Sequence, residues 1–254
     1  LGIEVYAFGR GHLGGLTDAK VSAAATALLG GEFALHLGAE ADVIEKDGAL
    51  RVRAGETEAT VDAVLAALGR RPNLAGLGLE TLGIALDPRG MPPVDPNTLQ
   101  IAGLPVFLAG DANGERALLH EAADEGHIAG LNAVRMAARE KSACFARRTP
   151  LAIVFSEPNI AVVGRRRADL AEGTFIEGEI DFARQGRARA GQRNHGLMRL
   201  YAEPETGKLL GAEMCAPAAE HMAHLLALAL DRGMTVRELL RLPFYHPVLE
   251  EGLR

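Results

Sequence analysis

The sequence has no tryptophan, only 4% aromatic residues and just two cysteines, Cys144 and Cys215. The spacing of the two cysteines fits neither a metal site nor a redox pair, so two reduced thiols in a cytoplasmic protein are expected. No apolar run approaches the length needed to cross a bilayer. The opening residues, Leu1-Gly2-Ile3-Glu4, lack a basic n-region, so they are not read as a signal peptide, and they also lack a starting methionine. Basic charge is in short supply as well: the formal net charge is -6, which argues against nucleic acid as the main partner.

Glycine and apolar residues are plentiful. Thirty glycines, twelve prolines and a 48% hydrophobic content across 254 residues allow a sizeable core and more than one domain. Strand-like and helix-like segments alternate, which suits an α/β enzyme better than a β-sandwich.

The most informative stretch is Leu104 to Val134. Val106, Phe107, Leu108 and Ala109 form a short apolar run that stops at Gly110-Asp111. A buried strand ending in Gly-Asp delivers a carboxylate to the carboxyl edge of a sheet, where open α/β folds bind ligands. Gly110 would let a ligand approach the backbone, and Asp111 could accept from sugar or ribityl hydroxyls. Beyond it, Ala117, Leu118, Ala122, Ile128, Ala129, Leu131 and Val134 fit one helix face, whose N-terminal amides favour negative charge. An ordinary strand, loop and amphipathic helix fits the spacing too.

Upstream, Leu1–Phe8 reads as a strand, Gly9–Gly15 as a glycine-rich loop, and Thr17-Asp18 as the cap of a helix through Leu29. Strands are expected over Glu32–Leu37, Ala41–Glu45, Leu50–Arg53 and Glu58–Leu68, the last running into Gly69-Arg70-Arg71-Pro72-Asn73. Gly83–Val106 is rich in glycine and proline and reads as loop. Ala143–Pro150 reads as a linker. After it come strands over Leu151–Phe155, Ile160–Gly164, Gly173–Phe182, Gly196–Ala202 and Leu209–Met214, then helices over Ala218–Asp231 and Val236–Leu242. Pro217 is placed in the first turn of the former and Thr235 caps the latter.

The chain closes on FYHPVLEEGLR. Pro247 suits a first helical turn, which would leave the His246 side chain free to project, and Glu251 could turn back to the imidazole. A carboxylate on one ring nitrogen fixes the tautomer and leaves the other as a base, which thiol chemistry needs because the thiolate is the attacking species. For an arbitrary His-Pro, a capping histidine beside a solvated glutamate is the better reading. Glu220-His221-x-x-His224 has metal-like spacing but no further ligands, so a structural role and no metal are expected. His127 is read as a packing or surface residue and Arg165–Arg167 as a solvated turn.

Gly110-Asp111 followed by Ala122-Ala123-Asp124-Glu125-Gly126 resembles the second flavin-binding motif of the pyridine nucleotide-disulfide oxidoreductases. The Gly-Arg-x-Pro-Asn at 69–73, Thr98 and the closing His246-Pro247…Glu251 fall on the same family's pattern, and within it the residues look most like those of dihydrolipoyl dehydrogenases. The resemblance implies remnants of NAD(P)-binding (1–75) and FAD-binding (76–146) domains and an α+β dimerisation domain (147–254). It implies FAD at Gly110, Asp111, Leu118, Leu119 and His120, and the nicotinamide dinucleotide near Gly9, Arg10 and Gly69. It also implies a homodimer, with His246 and Glu251 acting on the other subunit's disulfide, and a small disulfide or a lipoyl domain as partner. Arg10, where NAD enzymes usually place an acid, leans towards NADP, while the tail leans towards NAD. Val248 stands where threonine is usual, which weakens lipoamide as the substrate, and Glu250 adds a second acid. The sequence holds no Cys-x-x-x-x-Cys, no glycine motif is read as serving the FAD pyrophosphate, and the nicotinamide counterpart would precede Leu1, so a C-terminal portion that is inactive alone is expected. A non-catalytic dimerisation module, or a glutathione- or mercuric-reductase-like enzyme using NADPH, is the alternative.

Overall fold

A computed structural model describes residues 2–254; Leu1, the first residue of the expected opening strand, lies outside the described residues. The architecture is mixed α/β and divides into two compact units, one made of Leu1–Val64 with Arg148–Arg254, the other of Leu65–Arg147.

In the first unit, strands β1 (Tyr6–Gly9) and β2 (Ala34–Leu37) pair in parallel, joined by helix α1 (Ala19–Gly30). Asp18 caps α1, accepting from the amides of Lys20 at 2.9 Å and Val21 at 3.2 Å. Strands β3 (Asp42–Lys46), β4 (Ala49–Ala54) and β5 (Thr57–Val61) form the expected antiparallel meander. The expected strand through Leu68 stops at Val61: Leu65 and Leu68 are exposed and, among the described residues, no strand pairs with them.

The remaining strands of this unit are β6 (Leu151–Val154), β7 (Asn159–Gly164), β8 (Ile176–Asp181), β9 (Leu197–Ala202) and β10 (Leu209–Ala216). They form one antiparallel sheet in the order β6-β7-β10-β9-β8. Alternation along β10 sorts its side chains to two faces. Met214 and Ala216 join Met222 and Leu226 of helix α4 (Ala219–Asp231), while Cys215 joins Val21 and Ala25 of α1. The sheet is therefore covered by a helix on each side. Burial pushes the Cys215 thiol up to about 11, so it is an inert packing group. Pro217 falls just before α4, not in its first turn, because Ala218 takes a left-handed conformation at the cap. Helix α5 (Val236–Leu239) starts at the expected Thr235, whose hydroxyl and the Glu238 carboxylate bond reciprocally to complete a capping box. A short helix, α3 (Gly186–Ala190), was not expected from the sequence.

One polar side chain lies deep in this unit. Glu213 of β10 is fully buried on the α1 face. Its carboxylate accepts from the Thr17 amide at 2.6 Å, the Thr17 hydroxyl at 2.6 Å, the Asp18 amide at 2.8 Å and the Arg167 amide at 2.7 Å. Arg167 also pairs with Glu172 and stacks over Phe175, and Arg166 pairs with Asp169 at 2.9 Å, so the expected solvated turn at 165–167 is held by the chain's own groups.

The second unit has one long helix, α2 (Leu119–Ala137). Its buried face carries Glu121, Glu125, Ile128 and Asn132, whereas Leu131 and Val134 are exposed. Of the apolar face expected from periodicity, Ile128 is buried but Leu131 and Val134 are not, because Glu121, Glu125 and Asn132, each with partners, take up the rest of the buried face. Asn132 donates to the Thr98 and Ala143 carbonyls and accepts from the Ala143 amide, which fastens the expected linker onto α2. The apolar run at Val106–Ala109 forms no strand. It pairs on one side only, through a single bridge from Phe107 to Gln100, so no ladder develops.

Glu213→Gln replaces an acceptor with an amide donor facing four donors. It should destabilise the first unit by about 3 kcal/mol. Urea unfolding of the full chain measures this, and an unchanged midpoint would show that the buried cluster does not hold the unit together.

Candidate active site and family

The tail is built to hold one imidazole out of the body. After Pro247 and Val248 the chain makes a 3-10 helix, Leu249–Leu253. Pro247 precedes that helix and is not part of its first turn, contrary to expectation; its peptide bond with His246 is cis. Leu253 is buried in the core beside Phe182, and the Gln185 amide donates to the Val248 carbonyl at 2.6 Å. The backbone is therefore docked, yet the His246 side chain is 80% exposed.

Nδ1 of His246 stands 2.9 Å from Oε1 and 3.1 Å from Oε2 of Glu251. A carboxylate can only accept, so Nδ1 carries the proton and Nε2 presents its lone pair outward. Glu251 is oriented in turn by the Val248 amide, which donates to Oε2 at 3.1 Å. The hydrogen bond from His246 first, and that from Val248 second, hold the Glu251 carboxyl below its ordinary range. Val248 occupies the helix cap, where a threonine hydroxyl would take a first-turn amide; the departure affects the cap and leaves the His–Glu contact in place. Glu250 takes no part in that contact.

In the second unit, Gly110 and Asp111 lie in a short 3-10 turn, Gly110–Asn113. Gly110 has φ +70°, and a Cβ there would meet the Ala122 Cβ at 3.1 Å, so this position favours glycine on both counts. Buried Glu125 fixes the turn, accepting from the Gly110 amide at 2.6 Å and the Asn113 side chain at 2.5 Å, with Arg147 on its other oxygen. Arg70 donates to Asp111 Oδ2 at 2.5 Å and to the Ala117 carbonyl at 2.6 Å. The two stretches that the sequence offered separately, 69–73 and 110–111, thus meet. Leu118 caps α2 without a side-chain bond to its amides; Leu119, 88% exposed, and exposed His120 follow in the first turn.

The other candidates take no part in the hydrogen bonds just described. Gly9 ends β1, and Arg10 pairs with Glu40 at 3.3 Å on open surface. Gly69 sits at φ +88° in irregular chain. His127 is exposed. His224 Nδ1 bonds the Glu220 carbonyl at 2.6 Å and His221 faces the Glu220 carboxylate at 3.6 Å, so both act within α4. The sequence did not single out Arg70 or Arg147 as partners of the acids; the Gly110…Glu125 spacing carried the only signal, and only as a motif.

Two profiles of one family match the chain: pyridine nucleotide-disulphide oxidoreductase over residues 10–126, and the dimerisation domain of pyridine nucleotide-disulphide oxidoreductases over 151–254. The chain belongs to the pyridine nucleotide-disulphide oxidoreductase family. This is a family of FAD- and NAD(P)-dependent enzymes. The chain is 32% identical over 257 residues to the mitochondrial dihydrolipoyl dehydrogenase of Rattus norvegicus and 31% identical to that of Homo sapiens. Each alignment takes in 96% of this chain and 49% of the relative, so the chain spans about half the length of the curated relatives it matches. Among solved structures, LpdA from Mycobacterium tuberculosis matches with a TM-score of 0.75 at 26% identity, over 93% of this chain and 51% of that one. The Cu(II) complex of the HOCl-induced flavoprotein disulfide reductase RclA from Escherichia coli shares the fold, with a TM-score of 0.82 at 22% identity over 99% of this chain and 57% of that one. Among the described residues no helix is long and apolar enough to cross a membrane.

The folded Glu251 carboxyl titrates below its unfolded value, so what this contact contributes is present above the unfolded range and lost as pH falls through the folded one. His246→Ala should move the Glu251 titration upward, part of the way, because the Val248 amide stays in place. Carboxyl-detected NMR reads the shift, and an unmoved titration would remove the imidazole as its cause.

Proposed function

We propose that the chain works as part of a flavin-dependent NAD(P)-disulfide oxidoreductase of the dihydrolipoyl dehydrogenase type, with His246 as acid-base catalyst. The observation that supports this reading is the exposed imidazole whose Nδ1 is held by Glu251 at 2.9 Å while its Nε2 stays open. Nε2 takes the proton from a substrate thiol, which makes the thiolate that attacks a disulfide, and Glu251 steadies the imidazolium that results. On the reverse path the imidazolium returns the proton to the departing thiolate.

The flavin-side residues fit their proposed partner. Asp111 gives Oδ2 to Arg70, which leaves Oδ1 to accept from a ribityl hydroxyl. Exposed Leu119 and His120, at the first turn of a helix without a side-chain cap, offer an apolar surface and free amides for the ring. When bound, the flavin relays an electron pair between the dithiol pair and the nicotinamide. Gly9, Arg10 and Gly69 are proposed to lie along the dinucleotide; Arg10 favours a 2′-phosphate and so an NADPH-using, glutathione- or mercuric-reductase-like variant of the same reading.

The proposed division of labour runs 1–75 for nicotinamide, 76–146 for flavin and 147–254 for dimerisation. The enzyme is proposed as a cytoplasmic homodimer in which His246 serves the twin's sulfur centre, with a disulfide-bearing small molecule or domain as substrate. The 254 residues contain no Cys-x-x-x-x-Cys, so the chain by itself should show no steady NAD(P)H–lipoamide turnover; such turnover would overturn this reading. In the flavin-loaded holoenzyme, His246→Gln should lower kcat at least ~100-fold and Glu251→Gln less. Full activity in His246→Gln would remove the imidazole from the chemistry.

A further inference from the structure

Residues 182–195 read FARQGRARAGQRNH, four arginines and no acid, in a chain whose net charge is -6. Arg184, Arg187, Arg189 and Arg193 are all exposed, and among the described residues none makes an ion pair or a side-chain hydrogen bond. The acids next to the segment in sequence and on the tail it borders do not pair with these arginines. Asp181 accepts from the Ala183 amide at 2.9 Å, Glu251 holds His246, and half-buried Glu250 pairs with none of the four. The contrast with Arg165–Arg167 is direct, since there Arg166 pairs with Asp169, Arg167 pairs with Glu172, and Arg165 donates to the Asp169 carbonyl. Unmatched like charges so close in the chain repel one another, a cost that the fold itself does not offset.

Two geometric facts give the segment a direction. First, it borders the tail: Gln185 donates to the Val248 carbonyl at 2.6 Å, and a Cβ on Gly252 would lie 3.9 Å from the Gln185 side chain. Second, it is broad. Ala188 is buried, and helical residues follow one another at about 100°, so Arg187 and Arg189 take the two flanks of α3 while Arg184 and Arg193 lie beyond its ends. Charges spread in this way do not converge on one small anion, but they match an extended acidic surface. A local positive face on an otherwise acidic protein also steers an acidic partner into one orientation.

We propose that this arginine segment docks an acidic protein domain, and that it sets the domain's disulfide-bearing end beside His246. The second half of that statement rests on the base assigned to His246 above; the docking half does not. Anisotropy with a fluorescent poly-glutamate peptide and the holoenzyme tests it. Binding should weaken at least ~10-fold between low and physiological salt. The combined variant Arg184→Glu, Arg187→Glu, Arg189→Glu and Arg193→Glu should lose it, the four Arg→Lys changes should retain it, and Arg232→Glu with Arg237→Glu should leave it unchanged.

Equal binding by the charge-reversed variant would overturn the proposal. Full displacement of the peptide by inorganic pyrophosphate at matched charge would overturn it in favour of a small-anion site. Loss of self-association in the reversed variant, read by sedimentation, would give the surface to a second copy of this chain instead. His246→Gln should leave peptide binding intact. Should that variant also keep its turnover, the catalytic reading falls while the docking surface stands.

Discussion

Glu213 sits on the central strand of the five-stranded sheet with its carboxylate out of water, and four donors from two distant stretches of chain converge on it. Removing a carboxylate from water is costly unless its lone pairs are taken up, so the fold must bring Thr17, Asp18 and Arg167 to that point. The consequences spread outward. Asp18, held by its amide, caps α1 and accepts from the Tyr201 hydroxyl at 3.0 Å. Burial first, and the nearby Glu213 and Asp18 charges next, raise the Tyr201 phenol well above its ordinary range, so it stays a donor. With α1 pinned on one face and α4 packed on the other, the sheet offers a fixed edge, and Leu253 enters the same core from the tail.

That sequence of constraints explains how an exposed histidine can still be well placed. His246 gains little from burial, so its position comes from what anchors the backbone around it and from the carboxylate five residues on. The second unit repeats the device: Glu125, nearly wholly buried, fixes the Gly110 amide, and the exposed carboxylate beside it, Asp111, faces outward to Arg70. In each place a structural acid holds the frame and a neighbouring side chain faces outward. An exposed pair such as Arg70–Asp111 contributes at most about 1 kcal/mol to stability, which is consistent with a contact kept for placement.

Much of this was legible in the sequence, for reasons that can be named. Asp18 and Thr235 announce helix starts by local chemistry, and the meander at 42–61 by alternation and turn residues, so both were found within a few residues. His246 and Glu251 could be paired because their separation is short and the proline between them limits the path. Partnerships across long separations were not legible. Nothing local marks Glu213 as the acceptor for Thr17, or Arg147 as the partner of Glu121 and Glu125. Periodicity finds α2 and its buried Ile128 but misplaces Leu131 and Val134, because the rest of the buried face is polar; it misplaces Val64–Leu68 and Val106–Ala109 because an apolar run becomes a strand only where another strand pairs with it.

In the proposed homodimer each working site joins the flavin-side turn at Asp111 to the His246–Glu251 pair of the twin. Two holoenzyme variants, Asp111→Ala and His246→Gln, each remove one half of that site. Mixed after separate preparation and allowed to exchange subunits, half of the dimers become hybrids with one complete site in two. Disulfide reductase activity should then rise to about a quarter of the unmodified enzyme. Activity no higher than that of the two parents, in a mixture shown by mass to contain hybrids, would mean that His246 does not serve its neighbour.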